Sequence, residues 1–170
     1  MIKSEKRLAE LRKVFDSGSH HGISERIKVL REEEPLEGAI QLLALLYEKT
    51  DDIEIKHLIE DLFNDVKERS VTSEVMDALS MSVSDKTRTM LAASCWQSGL
   101  DYSPHAVRLA DIYISSEYNL ALECFTVLEN CADNIPAPER LAIIKMLEDE
   151  PEDRSEPLKQ LTRELISLMK

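Results

Sequence analysis

The segment that most constrains the fold is residues 84–99, SDKTRTMLAASCWQSG, because signals for a helix start and a helix end lie at its two ends. Ser84 or Asp85 can accept the free N–H groups of a first helical turn, and Gly99 can adopt the left-handed conformation that ends a helix. Apolar and small residues recur between them at steps of three and four, as on the buried side of a helix. The pattern predicts a core helix in which Trp96 is a core or inter-repeat anchor.

Related segments stand before and after this helix. Asp52, Asp85 and Ser116 occupy equivalent turns, and their residue numbers differ by 33 and 31. A looser unit spans Pro138 to Lys170. A near-constant period in this range is typical of stacked two-helix repeats, each of which cannot bury its apolar side alone. The sequence therefore predicts an all-α chain, and no segment has a clear strand pattern.

The expected helix starts follow from capping residues and prolines. The first helix should begin after Ser4 and end near Gly18, and the segment SHHG should be a linker. The later starts are predicted at Ser24, Pro35, Thr50–Asp52, Thr72 or Ser73, Ser84 or Asp85, Ser103–Pro104, Ser115–Ser116 and Pro138, with a last helix after the loop EDEPEDRSEP. At 170 residues the chain is predicted to be one helical-repeat domain, 1–170. It would hold an N-terminal helical pair or cap, 1–34, and about four repeats, 36–170.

Position by position, the second helices carry the pairs Ile55–Lys56, Thr87–Arg88 and Tyr118–Asn119 after a turn with an acidic residue or Ser. This pattern resembles the HEAT and HEAT-like repeat family, whose second helix follows an Asp turn and an apolar–Arg pair. Armadillo and tetratricopeptide arrays are alternatives, although the regular Trp, Gly, Tyr and Ala positions of the latter are missing.

The resemblance implies a right-handed α–α superhelix in which the second helices line a concave, protein-binding surface. It also implies a ladder between neighbouring repeats, made by the turn Asp and the Arg. Asp85 with Arg88 matches this ladder, Lys56 matches it in part, and Asn119 departs from it. The residues predicted to lie near the partner surface are Lys56, Glu60, Arg88, Asn119 and Glu123.

The charge distribution restricts the class of partner. The formal net charge is −12, and residues 1–31 carry eight basic and four acidic side chains, so the remainder carries −16. Nucleic-acid binding needs clustered Lys and Arg, which this acidic body lacks. Another protein with a basic surface is the expected partner. The amphipathic first helix is expected to cap the repeats rather than to lie on a membrane.

No catalytic residue, metal site or cofactor is predicted. Glu54 and His57 have the ExxH spacing of di-iron bundles, but the motif does not occur a second time. His20 and His21 are interpreted as loop residues. The three cysteines, Cys95, Cys124 and Cys131, lie in apolar patterns, which indicates buried, reduced thiols of a cytoplasmic protein. The N-terminus has no secretory pattern, and no uncharged run is long enough for a membrane span.

The leading functional hypothesis is a non-enzymatic helical-repeat protein with a protein–protein interaction surface. The first alternative is an enzyme or enzyme subunit on a HEAT-like scaffold, since bilin-attaching lyases and alkylpurine DNA glycosylases use such repeats. A deep pocket that gathers Trp96, Tyr102 or Tyr113 with a carboxylate of shifted pKa would favour it. The second alternative is a purely structural homodimer formed through the last repeat.

Overall fold

The computed structural model describes residues 1–17, 19–151 and 153–170, and these residues are all-helical, as predicted. The α-helices are α1 (Glu5–Asp16), α2 (His20–Glu32), α3 (Ala39–Lys49), α4 (Ile53–Asp65), α5 (Val71–Leu79), α6 (Asp85–Gln97), α7 (Ala106–Ile114), α8 (Tyr118–Cys131), α9 (Ala137–Glu148) and α10 (Glu156–Met169). Short 3-10 turns lie at Ser103–His105 and Ala132–Asn134. Within the described ranges, the only strand-like pairing is an isolated bridge between Ile2 and Leu36.

The chain divides into two compact units, and the first, Met1–Leu100, contains α1 to α6. Its helices contact one another in pairs, α1 with α2, α3 with α4 and α5 with α6. The first members also contact in sequence, α1 to α3 to α5, and so do the second members, α2 to α4 to α6. The first unit is therefore a two-layer stack of helix pairs.

The second unit, Asp101–Lys170, contains α7 to α10 and has the same contact pattern. The pairs are α7 with α8 and α9 with α10, while α7 contacts α9 and α8 contacts α10. The single domain predicted over 1–170, with its N-terminal pair at 1–34 and its repeats from 36, stays a prediction.

The helix starts reveal a more regular period than the sequence pattern indicated. The N-caps of α2, α4, α6 and α8 are Ser19, Asp52, Ser84 and Glu117, and these numbers differ by 33, 32 and 33. By this spacing α2 belongs to the same series as the second helices that follow it.

The predicted start of the second helix at Ser24 is wrong. The helix begins at His20 because the Ser19 hydroxyl accepts the Gly22 N–H at 3.4 Å and so caps the first turn. His20 and His21 are consequently helical residues rather than a linker, and Ser24 is buried inside the helix. The predicted end of the first helix at Gly18 falls outside the described residues.

The sequence predicted that the third helix begins at Pro35, but α3 begins four residues later, at Ala39. The preceding segment pairs with the N-terminus, because the Ile2 N–H donates to the Pro35 carbonyl at 2.7 Å. Gly38 then takes a left-handed φ of 85° and has no side chain to cap the helix. Glu74 of α5 supplies the missing acceptor, since its Oε1 accepts the Gly38 N–H at 2.8 Å.

Helix α3 is largely buried, whereas Trp96, which the sequence predicted to be a core or inter-repeat anchor, is partly exposed. Helix α3 contacts α1, α4, α5 and α6, and Leu43 and Ala44 are almost completely buried. On α6, the buried residues are Thr87, Leu91, Ala92, Ser94 and Cys95. Trp96 follows directly after this face and is 38% exposed, because one step along a helix turns a side chain by about 100°.

Polar contacts join neighbouring pairs of the first unit, but not through the predicted ladder. Asp85 and Arg88 form an ion pair inside α6, at 3.3 Å, and the Arg88 Nε donates to the Leu79 carbonyl at 3.1 Å. The contacts between α2 and α4 with its N-cap include those of His20 with Asp52, at 2.6 Å, and with Glu54, at 3.4 Å, and that of Arg31 with Asp65. Each joins residues about one repeat apart.

The contact between His20 and Asp52 predicts a measurable pH dependence. Its hydrogen bond and the Asp52 charge raise the pKa of His20 above the ordinary 6.5, and the same bond lowers the pKa of Asp52 below 3.8. We expect Asp52→Asn to lower the His20 pKa in an NMR titration, while Asn still caps α4. The contact between His20 and Asp52 therefore stabilises the fold fully between pH 3.8 and pH 6.5. This stabilisation is lost as pH rises through the raised His20 pKa.

The measurement is the difference in free energy of unfolding between wild type and Asp52→Asn across this pH range. Asp51→Asn removes the same charge one residue earlier and is the control. An unchanged His20 titration in Asp52→Asn contradicts the assignment.

Candidate interaction surface

A small groove lies between α4 and α6, the second helices of adjacent pairs in the first unit. Its volume is about 150 Å³, and its lining residues are Glu60, Asn64, Met90, Ala93 and Gln97. Met90 and Ala93 contribute apolar atoms, and the other three contribute an acid and two amides. The groove therefore combines a small apolar contact area with polar groups that can set the orientation of a bound segment.

Helical spacing explains why these side chains meet. Glu60 and Asn64 are four residues apart on α4, and Met90, Ala93 and Gln97 follow steps of three and four on α6, so each set lies on one side of its helix. The opposite sides are held in the core by Ile59 of α4 and Leu91 of α6, both of which have no exposed surface. Packing of the buried faces thus leaves the groove residues at the surface.

Tyr47 of α3 fixes two of the predicted partner-binding residues. Its hydroxyl donates to Glu60 Oε1 at 2.7 Å, and Lys56 Nζ lies 5.0 Å from its ring centroid. Burial of Tyr47, followed by the hydrogen bond and the charge of Glu60, raises the tyrosine pKa. The hydroxyl therefore remains a donor at neutral pH, and it holds the Glu60 carboxylate in place beside the groove.

Only part of the predicted site comes together. Lys56 and Glu60 meet around Tyr47, whereas Arg88 is held against Leu79 at the end of α5. Asn119 and Glu123 lie one turn apart on α8, in the second unit, where Asn119 is exposed and Glu123 is half-buried.

Sequence reasoning missed Tyr47, Asn64, Ala93 and Gln97 as members of the surface. It also placed Met90 on a buried flank, although Met90 is partly exposed in the groove. The missed signal is the polar stripe that Glu60 and Asn64 form at a four-residue step.

The charge of α4 sets the sign of the surrounding field. Within Ile53–Asp65 there are four acidic residues, Glu54, Glu60, Asp61 and Asp65, against Lys56 alone among Lys and Arg. Exposed charges of one sign attract oppositely charged partners and increase their rate of association. The α4 side of the groove thus favours cationic groups.

A second polar cluster lies in the second unit and includes Tyr113. Its hydroxyl is 2.8 Å from Thr162 Oγ1, which donates to Glu150 Oε2 at 2.8 Å. The Glu150 carboxylate is paired with Arg154 at 2.7 Å, and both of these side chains are largely buried. This cluster places a tyrosine near a carboxylate, which is one part of what the enzyme alternative required, but Tyr113 has no exposed surface.

The contacts of Arg154 indicate a structural role for this cluster. One guanidinium nitrogen donates to the carbonyls of Tyr113 at 3.1 Å and Ser116 at 3.4 Å, and the guanidinium carbon lies 4.9 Å from the Tyr113 ring centroid. These carbonyls belong to the end of α7, where the last turn has no helical donors. Arg154 therefore joins the loop before α10 to α7.

Buried cysteines add no reactive group to these surfaces. Cys95, Cys124 and Cys131, all among the described residues, are buried thiols that form no disulfide. Burial, with the charge of Asp101, raises the pKa of Cys131 to about 12, so its thiol is protonated at neutral pH. Across the described parts of the chain, no three His, Cys, Asp or Glu side chains converge as a metal site requires.

The Arg154 cluster predicts a large difference between two arginine substitutions. Arg154→Leu leaves the Glu150 carboxylate buried without its charge partner and should lower the free energy of unfolding by about 3 kcal/mol. Arg163→Leu removes an exposed pair with Glu156, which water and salt screen, and should have a much smaller effect. Tyr113→Phe removes only the hydroxyl and should cost about 1 kcal/mol. Urea unfolding measures all three, and equal effects of the two arginine substitutions contradict the structural role.

Comparison with known proteins gives no relative from which to transfer a function. No family model, no curated protein and no solved structure matches the chain. Among the helices that the structure describes, none has the length and apolar character needed to cross a membrane.

Proposed function

We propose that this protein is a non-enzymatic helical-repeat protein that binds a partner protein through the groove between α4 and α6. We further propose that its helix pairs are HEAT-like repeats of a right-handed superhelix. Two observations support the repeat assignment: the layered contacts of α1 to α6, and the N-caps at Ser19, Asp52, Ser84 and Glu117, which recur every 32 or 33 residues.

The observation that carries the binding proposal is the Glu60 carboxylate, held by Tyr47 at the edge of a groove with apolar atoms. A carboxylate that is already fixed loses little conformational freedom when a partner binds. Met90 and Ala93 provide apolar area beside it, with room for one aliphatic side chain. A groove of this kind recognises a combination of one apolar group and one cation.

The partner is proposed to present a basic segment with a single aliphatic anchor. The anchor would fill the space beside Met90 and Ala93, and a Lys or Arg next to it would pair with Glu60. Trp96 lies three residues after Ala93 on the same side of α6 and is 38% exposed, so it can extend the apolar contact. Asn119 and Glu123 are not part of this groove and stay predictions for the second unit.

The proposal predicts selective binding of synthetic peptides of roughly 12 residues. A peptide with a central Leu flanked by Lys and Arg should bind at least about tenfold more tightly than the same peptide with Ser in place of Leu, because the anchor contributes about 1.4 kcal/mol or more. A Leu peptide flanked by Glu should bind still more weakly. Fluorescence anisotropy of labelled peptides measures the three dissociation constants.

Matched variants locate the binding site. Glu60→Gln removes one charge and keeps an acceptor for Tyr47, so it should weaken binding of the basic peptide more than Asp61→Asn, which removes one charge from the adjacent, exposed position. Ala93→Phe should fill the groove and abolish binding, whereas Ala142→Phe on the exposed side of α9 should not. Equal affinities of the Glu60 and Asp61 variants, together with normal binding by Ala93→Phe, would overturn the proposal.

A further inference from the structure

A second, larger cavity lies elsewhere in the first unit, between the end of α2, the segment 33–37 and helices α3, α4 and α5. Its volume is about 320 Å³. Apolar side chains from every one of these elements line it, among them Leu30, Pro35, Ala39, Leu43, Leu62 and Val71. This volume is within the range of small-molecule sites, about 300–1,000 Å³.

Glu74 of α5 is a buried acid in the wall of this cavity. The residue is only 6% exposed. Its Oε1 accepts the Gly38 N–H, while its Oε2 has no hydrogen-bond partner among the described residues. A buried carboxylate oxygen without a partner costs free energy, because it has lost its water and gained nothing in return. Glu74 therefore places an unsatisfied acceptor just behind the cavity wall, where Oε2 itself has almost no accessible surface.

The environment of Glu74 opposes its negative charge. Burial raises the pKa of Glu74, and the nearby acids Glu37 and Asp77 raise it further, although the N–H groups of Gly38 and Ile40 act in the opposite direction. A cation beside the carboxyl group would reverse the effect of burial, since an opposite charge favours the ionised form. A cationic ligand would therefore stabilise the ionised form of Glu74.

The charged residues around the cavity also favour a positively charged ligand. The acids among its lining residues besides Glu74 are Glu32, Glu33, Glu34, Asp65 and Glu68, and the bases are Arg31 and Lys67. Both bases are engaged, since Arg31 pairs with Asp65 and Lys67 Nζ donates to the Ser98 carbonyl at 2.7 Å. Among the acids, Glu33 is paired with Arg7 and Arg26, so the excess comes from Glu32, Glu34 and Glu68. The excess of acids gives the entrance a negative potential, which concentrates cations and repels anions.

We propose that this cavity binds a small organic cation, an aliphatic or aromatic amine. A rotation of the Glu74 carboxyl group would turn Oε2 toward the cavity, where the ammonium group would donate to it, and the hydrocarbon body would lie among Leu43, Leu62 and Val71. The arrangement would satisfy the buried acceptor and cover apolar surface in one step. The site is separate from the groove between α4 and α6, so it does not depend on the proposed partner binding.

The alternative is that Glu74 only caps α3. Capping requires one oxygen, Oε1, and a glutamine at this position would still offer an oxygen to the Gly38 N–H with nearly the same side-chain volume. Glu74→Gln therefore separates the two roles, because it retains the cap and removes the charge.

The test uses n-hexylamine, n-hexanol and hexanoate as probes in NMR titrations of the ¹⁵N-labelled full chain. Hexylamine should bind saturably, with shifts at the amides of Gly38, Ala39 and Val71, and at least about tenfold more tightly than hexanol, a difference of about 1.4 kcal/mol. Hexanoate should not bind. In Glu74→Gln the preference for the amine over the alcohol should disappear, while Glu68→Gln, which removes a charge at the cavity entrance, should keep most of it.

A second measurement keeps the test valid if Glu74→Gln does not fold. In the wild-type chain, nuclear Overhauser effects should connect the methylene protons of hexylamine to the methyl groups of Leu43 and Val71. Glu60→Gln should leave the hexylamine-induced shifts of Gly38, Ala39 and Val71 unchanged, which distinguishes this cavity from the groove. Equal binding of amine and alcohol by the wild-type chain, or shifts confined to other surfaces, would overturn the proposal.

Discussion

The N–H groups at the start of a helix have no acceptors within the helix. In the first unit, acidic side chains from neighbouring helix pairs provide some of these missing acceptors. Glu74 of α5 accepts the N–H of Gly38 before α3, and Glu48 of α3 accepts the N–H of Ser84 before α6 at 3.2 Å. Each contact joins residues 36 positions apart. Apolar burial can hold layers of helices together with some freedom to slide, whereas a hydrogen bond at a helix end fixes their register.

Both candidate sites depend on a side-chain hydrogen bond that joins one helix to another. The Glu74 side chain must reach across from α5 to the start of α3, so it lies inside the stack rather than at its surface, and only one of its oxygens is used. Tyr47 reaches in a similar way from α3 to α4, and its hydroxyl holds Glu60 at the surface. The same stack thus places one acid, almost completely buried, in the wall of a cavity and another, partly exposed, at a groove.

The period and the helical class could be predicted because they depend on local signals. Ser84 and Gly99, for example, bound α6 as expected, since capping and a left-handed C-terminal glycine depend on neighbouring residues only. The start of α2 was missed because two histidines and a glycine resemble a loop, and the competing signal was the Ser19 hydroxyl. The start of α3 was missed because its cap is Glu74, a residue 36 positions away that no local pattern can assign.

The site residues were harder to predict for a related reason. Asp85 and Arg88 have the spacing of an inter-repeat ladder, but three residues along a helix is also the spacing of an intrahelical ion pair, and that shorter contact is the one formed. The apolar pattern predicts Trp96 as a core or inter-repeat anchor, yet its angular position on α6 leaves part of the side chain exposed. The apolar character of a side chain gives its tendency to be buried, while its angular position on the helix decides whether it faces the core.

The two proposed sites would recognise cations by different physical means. Glu60 is partly exposed, so water and salt screen its charge, and binding at the groove would need the apolar anchor and several contacts in addition. Glu74 is buried among apolar side chains, where screening is weaker and a single ammonium group could interact strongly. Binding at the groove should therefore weaken markedly as salt is added, and amine selectivity in the cavity should change much less. One repeated scaffold can in this way carry a surface for a protein and a pocket for a small molecule.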